Sequence, residues 1–162
     1  INQVSQKVKD ANVFLVDMCA PLLEVAKQTL PKSVNIVNYD ATKFSLPEPA
    51  DLVTFSYSLT MIPEWFKAVD NAFKLLRSGG KIGVVDFFVS RKHPSKLEIR
   101  HNWLERTFWP VWFSHDDVFL NGDILNYLAY KFEPLESSCY KNSIPYLPFF
   151  KVPYYEFIGI KK

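Results

Sequence analysis

Val13-Phe14-Leu15-Val16-Asp17 and Val34-Asn35-Ile36-Val37-Asn38-Tyr39-Asp40 are the stretches that decide the fold. Each is a short apolar run closed by an aspartate. The first leads into Pro21 to Leu30 and the second into Ala41-Thr42. A run that is apolar throughout, up to its terminal acid, reads as a strand buried on both faces. Pro21 suits the first turn of a helix, and Leu22, Leu23, Val25, Ala26 and Leu30 supply its apolar face. Strand, helix and strand in this order predict a parallel βαβ unit. In an open parallel sheet, ligands bind outside the carboxyl ends of the strands. A carboxylate there accepts hydrogen bonds from a ribose diol or an adenine amine. Asp17 and Asp40, 23 positions apart, therefore read as a nucleoside site built by consecutive βα units. Each aspartate has a plainer reading too: Asp17 as an acid favoured by the dipole of the following helix, Asp40 as a turn residue. No strand and glycine-rich turn precede Val13, and the first residue is Ile1. The expectation is a domain truncated at its N-terminal edge, the C-terminal part of a larger nucleoside-binding domain.

The alternation continues. Val4 and Val8 fit the end of a helix. Pro47 and Pro49 mark a loop, and Asp51 to Tyr57 predicts a third strand. Pro63 opens a helix in which Trp65, Val69, Ala72, Phe73 and Leu76 recur at helical spacing. Gly79-Gly80 is its expected stop, and Lys81 to Phe88 a fourth strand. After residue 89 the pattern changes. Ser95-Lys96-Leu97-Glu98 matches a capping box and predicts a helix over 96–108, ended by Trp109-Pro110. Asn121 caps a shorter helix carrying Ile124, Leu125, Leu128 and Tyr130. Strands near 132–138 and 153–160 close the sheet as an antiparallel hairpin, with 145–153 as an apolar, proline-rich loop packed on the domain. The whole reads as one α/β domain: residues 1–89 form cofactor-binding βα units, and residues 90–162 form substrate-side helices and terminal strands.

Composition narrows the function classes. The 162 residues carry a net charge of +2 and neither half is strongly biased, which argues against a dedicated nucleic-acid binder. No apolar run approaches the ~20 residues that span a bilayer. Cys19 and Cys139 read as free thiols. Aromatic residues make up 16% of the chain, concentrated after residue 100. His115-Asp116-Asp117 does not make a metal site, because three adjacent ligands cannot converge from a helix. No Gly-x-Ser-x-Gly elbow supports a serine nucleophile.

Asp17, the pair Asp40-Ala41, the strand ending Phe55-Ser56-Tyr57-Ser58 and the Gly79-Gly80 turn before a strand together resemble a class I S-adenosylmethionine-dependent methyltransferase. Three further segments are similar to the methyltransferase module of betaine-lipid synthase: Tyr57-Ser58-Leu59-Thr60-Met61-Ile62-Pro63, the run from His101-Asn102-Trp103 to Trp112-Phe113, and Val152-Pro153-Tyr154-Tyr155-Glu156-Phe157-Ile158-Gly159. The resemblance covers essentially the whole chain. It implies a Rossmann-like sheet, parallel with an antiparallel C-terminal hairpin, here without its N-terminal strand and Gly-rich loop. It implies S-adenosyl-L-methionine as cofactor and three methylations of the amine of a diacylglycerylhomoserine lipid. The implied partners are a lipid substrate at a membrane surface and a homoserine-transferring module, with no nucleic acid. The implied location is the cytoplasmic face of a membrane, the endoplasmic reticulum in a eukaryote.

Residue roles follow from that resemblance. Asp17 is the candidate for the ribose hydroxyls. Asp40 and the Ala41 N–H are candidates for the adenine edge, and Met18 for covering its face. Ser56, Tyr57 and Met61 follow the strand that ends beside the transferred methyl. Tyr57 and His101 are the catalytic candidates, with Trp103, Arg106, Trp109 and Trp112 for the substrate. Methyl transfer from a sulfonium is an in-line displacement, so alignment of the partners supplies roughly 7–11 kcal/mol. Aromatic faces favour the cation formed by roughly 0.5–2 kcal/mol each. Core packing is the competing reading for each aromatic residue, and a structural role the competing one for His101. The run 91–106 holds five Arg/Lys against two Glu and reads either as a solvated face or as a contact with anionic lipid. Tyr146-Leu147-Pro148-Phe149-Phe150-Lys151 has the character of a membrane-interface loop. Two alternatives stand beside the lipid enzyme: a small-molecule or quinone methyltransferase of the same fold, and a catalytically incomplete methyltransferase-like interaction module.

Overall fold

The computed structural model describes residues 11–144 and 147–162, with side chains described outside 143–150. The helix end at Val4 and Val8 lies outside the described residues. So do Pro145 and Tyr146 and the side chains of Leu147, Pro148, Phe149 and Phe150, on which the interface-loop reading rests. The chain divides into two compact units, Ile1–Ser45 and Leu46–Lys162.

The first unit is the expected βαβ element: β1 (Val13–Asp17), α1 (Ala20–Thr29) and β2 (Val34–Asn38). The strands are parallel, in register from Val13↔Val34 to Asp17↔Asn38. Pro21 lies in the first turn of α1, where its missing N–H costs no helical hydrogen bond. Residues 13–16 are half-buried rather than fully buried. Among the described residues of this unit β1 has one strand neighbour, so its apolar side chains lack cover on one edge.

The second unit contains β3 (Ala50–Ser56), a 3-10 turn (Leu59–Met61), α2 (Trp65–Leu75), β4 (Leu76–Phe87), α3 (Trp103–Ser114), α4 (Ile124–Lys131), β5 (Glu133–Ile144) and β6 (Leu147–Ile160). Its sheet runs β3-β4-β6-β5. β3 and β4 are parallel, and β6 is antiparallel to both β4 and β5. The expected C-terminal hairpin is present but longer than predicted, and the backbone from Leu147 onward is strand rather than loop. One face of the sheet carries the core: Ile82, Val84 and Phe88 with Tyr155 and Phe157 of β6, packed against Val69 and Ala72 of α2 and Ile124, Leu125 and Leu128 of α4. Asp70 clasps the two helices, accepting from the Tyr127 hydroxyl at 2.8 Å and pairing with Lys131 at 2.7 Å.

Three boundaries differ from the sequence reading. Gly79-Gly80 does not stop a helix. α2 ends at Leu75, and the glycines lie in the irregular start of β4, where the register jumps from Ala50↔Leu76 to Leu52↔Lys81. Gly79 has φ +76°, and a Cβ on Gly80 would meet the Arg77 carbonyl at 2.9 Å and the Ala50 carbonyl at 3.2 Å. The pair therefore permits a bulge that a side chain would block. The predicted helix over 96–108 starts only at Trp103. Ser95 N–H does donate to Glu98 at 2.9 Å, and Glu98 N–H to the Ser95 carbonyl at 3.2 Å, but this closes a single turn, after which the chain is irregular up to Asn102 while Leu97 and Ile99 pack on the core and Glu98 and His101 are buried. The working capping box is Asn102 with Glu105: Glu105 N–H donates to Asn102 at 2.8 Å, and Asn102 N–H to Glu105 at 2.9 Å. Pro110 lies inside α3 and does not end it. An interior proline costs about 3 kcal/mol, which burial of the neighbouring Trp109 against Val89 and Val152 offsets.

Leu128 is fully buried between α4 and the sheet, whereas Leu104 stands exposed on α3. Leu128→Ala should lower the stability of this unit by about 2–5 kcal/mol, seen as a lower urea midpoint at unchanged slope. Leu104→Ala should stay within about 0.5 kcal/mol of wild type.

Candidate active site

In the first unit, the chemistry gathers at the carboxyl edge of its two parallel strands. Asp17 ends β1 and is exposed, and one of its carboxylate oxygens accepts from the Cys19 N–H at 2.8 Å. Its backbone carbonyl accepts from Tyr39 N–H and from the Asn38 side chain, both at 3.1 Å. Met18, next in the chain, is also exposed. Asp40 follows β2 and makes an Asx turn, accepting from the Thr42 N–H at 2.8 Å and the Thr42 hydroxyl at 2.7 Å. Lys43 stands 3.6 Å from its other oxygen. The Thr42 bonds, the side-chain one first, hold the Asp40 carboxyl below the ordinary aspartate range, so it is ionised at neutral pH. The turn role foreseen for Asp40 is therefore realised. Ala41 is half-buried in the same turn. The ionised Asp40 and the exposed Asp17, at neighbouring strand ends beside an exposed thioether, suit the ribose and adenine of a nucleoside.

In the second unit, the corresponding edge is built around a residue that the sequence reading passed over. Asp86 is completely buried near the end of β4. One of its oxygens accepts from the N–H groups of Ser58 (3.1 Å) and Thr60 (3.2 Å). The other accepts from the Thr60 hydroxyl and the Phe87 N–H, both at 2.8 Å. Burial pushes its carboxyl above the usual range, against the pull of the bonds from Thr60, Phe87 and Leu59. The effect is to pin the turn that follows β3. Tyr57 begins that turn with φ +49°, a conformation that non-glycine residues rarely adopt. Its N–H donates to the Val85 carbonyl at 2.8 Å. The available sequence signal was Ile82-Gly83-Val84-Val85-Asp86, another apolar run closed by an aspartate, like Asp17.

Tyr57 and Phe87, at the carboxyl ends of adjacent parallel strands, have ring centroids 4.7 Å apart. Phe87 continues to Phe113 of α3 at 4.9 Å, and Phe113 to Trp109 at 6.0 Å. The array runs from Tyr57, 41% exposed, to Trp109, buried at 3%. The Tyr57 hydroxyl is pushed up by burial first, then by Tyr154, Asp86 and Glu156. It remains a neutral phenol, not a phenolate base. Met61 is exposed at the end of the 3-10 turn, and Ser56 is exposed at the end of β3.

The other sequence-predicted residues fall into two places. His101, Trp103 and Arg106 line one cleft with Lys92, Arg100 and Asn102. His101 itself is buried and precedes α3 rather than lying on it. Its Nδ1 accepts from Ser90 N–H at 2.9 Å, and its own N–H donates to the Ser90 hydroxyl at 2.9 Å. The acceptor role of Nδ1 places the imidazole proton on Nε2. Burial, and then Lys141, lower its pKa to about 4, so the ring is neutral at neutral pH. This reciprocal clamp ties the exit of β4 to the start of α3, the structural role that competed with catalysis. Trp112 is on the outward side of α3, stacked on Phe108 at 5.7 Å.

Residues 2–84 match the family model described as a methyltransferase domain. The chain belongs to the class I S-adenosylmethionine-dependent methyltransferase family. It is 30% identical over 88 residues to the demethylmenaquinone methyltransferase of Chlamydia pneumoniae, covering 52% of this chain and 38% of that protein; the chain thus spans well under half of that relative. Among solved structures, a protein from Bacillus halodurans assigned as a methyltransferase superposes with TM-score 0.70 at 16% identity, over 92% of this chain and 82% of that one. The N-methyltransferase NodS of Bradyrhizobium japonicum, in complex with S-adenosyl-L-homocysteine, gives 0.61 at 12% identity, over 90% and 65%. These likenesses show the Rossmann-like α/β fold with its mixed parallel and antiparallel strands.

Two outcomes follow from the second unit. Asp86→Asn places an amide NH2 or a single acceptor where two oxygens now receive four donors. It should destabilise by ~1–3 kcal/mol, read as a lower melting midpoint. His101 is the buried one among three histidines, and its folded-state pKa is depressed from 6.5 to about 4. The unfolded chain therefore binds the extra proton between those values. Stability should be full above pH 6.5 and fall, by up to about 3 kcal/mol, as pH drops toward 4. In His101→Asn, which keeps an acceptor for Ser90, most of that slope should vanish in chemical denaturation across the pH range.

Proposed function

We propose that this chain forms the methyl-transfer domain of an S-adenosylmethionine-dependent N-methyltransferase whose acceptor is the amine of a diacylglycerylhomoserine lipid, taken in steps to the trimethylated betaine. The observation that carries this reading is the Tyr57–Phe87–Phe113–Trp109 array at the carboxyl ends of β3 and β4. Its exposed member is a neutral tyrosine that offers a ring face and a hydroxyl. A site that ends its cycle holding a quaternary ammonium gains from such faces, roughly 0.5–2 kcal/mol each.

The residues present fit the cofactor. Asp17 would hold the ribose hydroxyls, Asp40 and the Ala41 N–H would meet the adenine edge, and Met18 would cover it. When bound, S-adenosylmethionine supplies an electrophilic methyl group on a sulfonium. The protein has to bind, orient and dehydrate the amine. The Asp86 network fixes the Tyr57 turn in advance, so little reorganisation is left for the reaction itself. Tyr57 orients the amine and favours its developing positive charge. Arg106 and the neighbouring cations of the cleft suit the homoserine carboxylate. The membrane-face location, and action together with a homoserine-transferring module, belong to the same reading. No helix among the described residues is long and apolar enough to cross a membrane, so access to the lipid would be from the surface.

A quinone acceptor is the second reading, favoured by the match to the demethylmenaquinone enzyme. Both acceptors are amphiphiles, but the quinone product is uncharged. The test uses the whole protein with labelled cofactor, offered vesicles containing diacylglycerylhomoserine or a demethylated quinone. Mono-, di- and trimethylated lipid are expected. Tyr57→Leu should slow turnover most at the third methylation. Asp17→Ala should weaken cofactor binding tenfold or more in calorimetry, the effect of losing a charge-assisted hydrogen bond of ~1.5–3 kcal/mol. Transfer to the quinone and none to the lipid would replace the first reading by the second.

A further inference from the structure

α3 buries Trp109 and Phe113 on one side and, among the described residues, leaves further large apolar side chains uncovered on the other. Trp109 and Phe113 point inward to Phe87 and Val89. At 100° per residue, Leu104 and Val111 lie opposite Trp109, flanked by Trp112 on one side and Trp103 on the other, with the hydroxyls of Thr107 and Ser114 among them. These side chains are open to solvent: Trp103 72%, Leu104 66%, Val111 59%, Trp112 44%. Large apolar side chains exposed together on one side of a helix mark an interaction surface. The charge distribution around it says which. Lys92 and Arg100 are exposed and line one cleft with Trp103 and Arg106, so cations gather at the N-terminal end of the apolar arc. Glu105, the acid of this end, is already neutralised by Lys141 and by its capping bond. At the other end stand the exposed acids Asp116 and Asp117.

We infer that the outer face of α3 is an interfacial membrane anchor that docks on an anionic lipid surface, Trp103 end foremost. Aromatic and aliphatic side chains on one arc, next to cations that meet phosphate, are the composition of helices that lie in the headgroup plane. Each lysine or arginine near such a surface strengthens binding about fivefold. The acids at the far end tilt the helix, so that Trp103 and Leu104 enter more deeply than Trp112. The cations grouped beside Trp103 match the phosphates of a lipid surface, and the acids stand at the far end of the helix. The inference concerns docking alone and stands whichever lipid-soluble or soluble acceptor is methylated.

The test is co-sedimentation of the full chain, without cofactor or acceptor, with vesicles of phosphatidylcholine alone or mixed with phosphatidylglycerol. Partitioning should be at least tenfold stronger on the anionic vesicles and should fall as salt is raised. Leu104→Ser with Trp112→Ser should lower it tenfold or more on both vesicle types, with an unchanged circular dichroism spectrum. Lys92→Glu with Arg100→Glu should remove the preference for anionic vesicles. Tyr130→Ser, at an exposed aromatic of α4, should leave partitioning as it was. Equal partitioning of the wild type and the α3 variants would overturn the inference. So would a dimer in sedimentation equilibrium that the α3 variants dissociate, since a second copy would then be the occupant.

Discussion

The second unit depends on one buried carboxylate. Asp86 takes four hydrogen bonds from the segment that leaves β3 and from its own strand. A carboxylate in the core is costly unless each oxygen is satisfied. Here that satisfaction is also what gives the turn its shape. Ser58 and Thr60 are drawn toward β4, the backbone reverses at Tyr57 through a left-handed conformation, and the tyrosine ring comes to lie on Phe87. The strain of Tyr57 is held by the network, and the network needs that strain to bring its donors together.

From there the aromatic residues divide by role. The inward series from Tyr57 through Phe87 and Phe113 to Trp109 ties the end of β4 to α3 and leaves one ring at the surface of the strand edge. The outward series on α3 is exposed to solvent, with Phe108 in ring contact with both Trp109 and Trp112. The Ser90–His101 clamp and the Asn102–Glu105 capping box set where α3 begins. They therefore set which aromatic residues fall on each side. A start seven residues earlier, as the Ser95–Glu98 pattern suggested, would let the helix run through Leu97, Ile99 and His101. Instead the Ser95–Glu98 turn leads into irregular chain in which Leu97 and Ile99 meet the core and His101 meets Ser90.

Family membership and these geometries agree on the division of labour. The first unit presents acids at the ends of two parallel strands, the arrangement that suits a nucleoside. The second presents a preorganised tyrosine at the end of β3 and a cation-lined cleft beside the start of α3. In the second unit the Tyr57 phenol is raised by burial and His101 is sequestered by Ser90.

The sequence by itself determined the elements whose local pattern and burial agree. Apolar runs ending in acids became β1 and β2 with their parallel register, amphipathic spacing became α2 and α4, and the terminal aromatic segments became an antiparallel hairpin. It also determined that Asp17 and Asp40 stand at strand ends, because a strand that stops at an aspartate can put it nowhere else. Tertiary structure decided what depends on distant partners. Gly79 and Gly80 became a bulge because Ala50 lies alongside. Ser95–Glu98 closed only one turn because the chain beyond it is held by the core and by Ser90, and Pro110 was kept inside a helix whose neighbouring tryptophan is buried. Asp86 acquired its role only when Ser58 and Thr60, more than twenty-five residues earlier in the chain, were folded against it. A hydrogen bond between segments so far apart leaves no periodicity for a sequence to display.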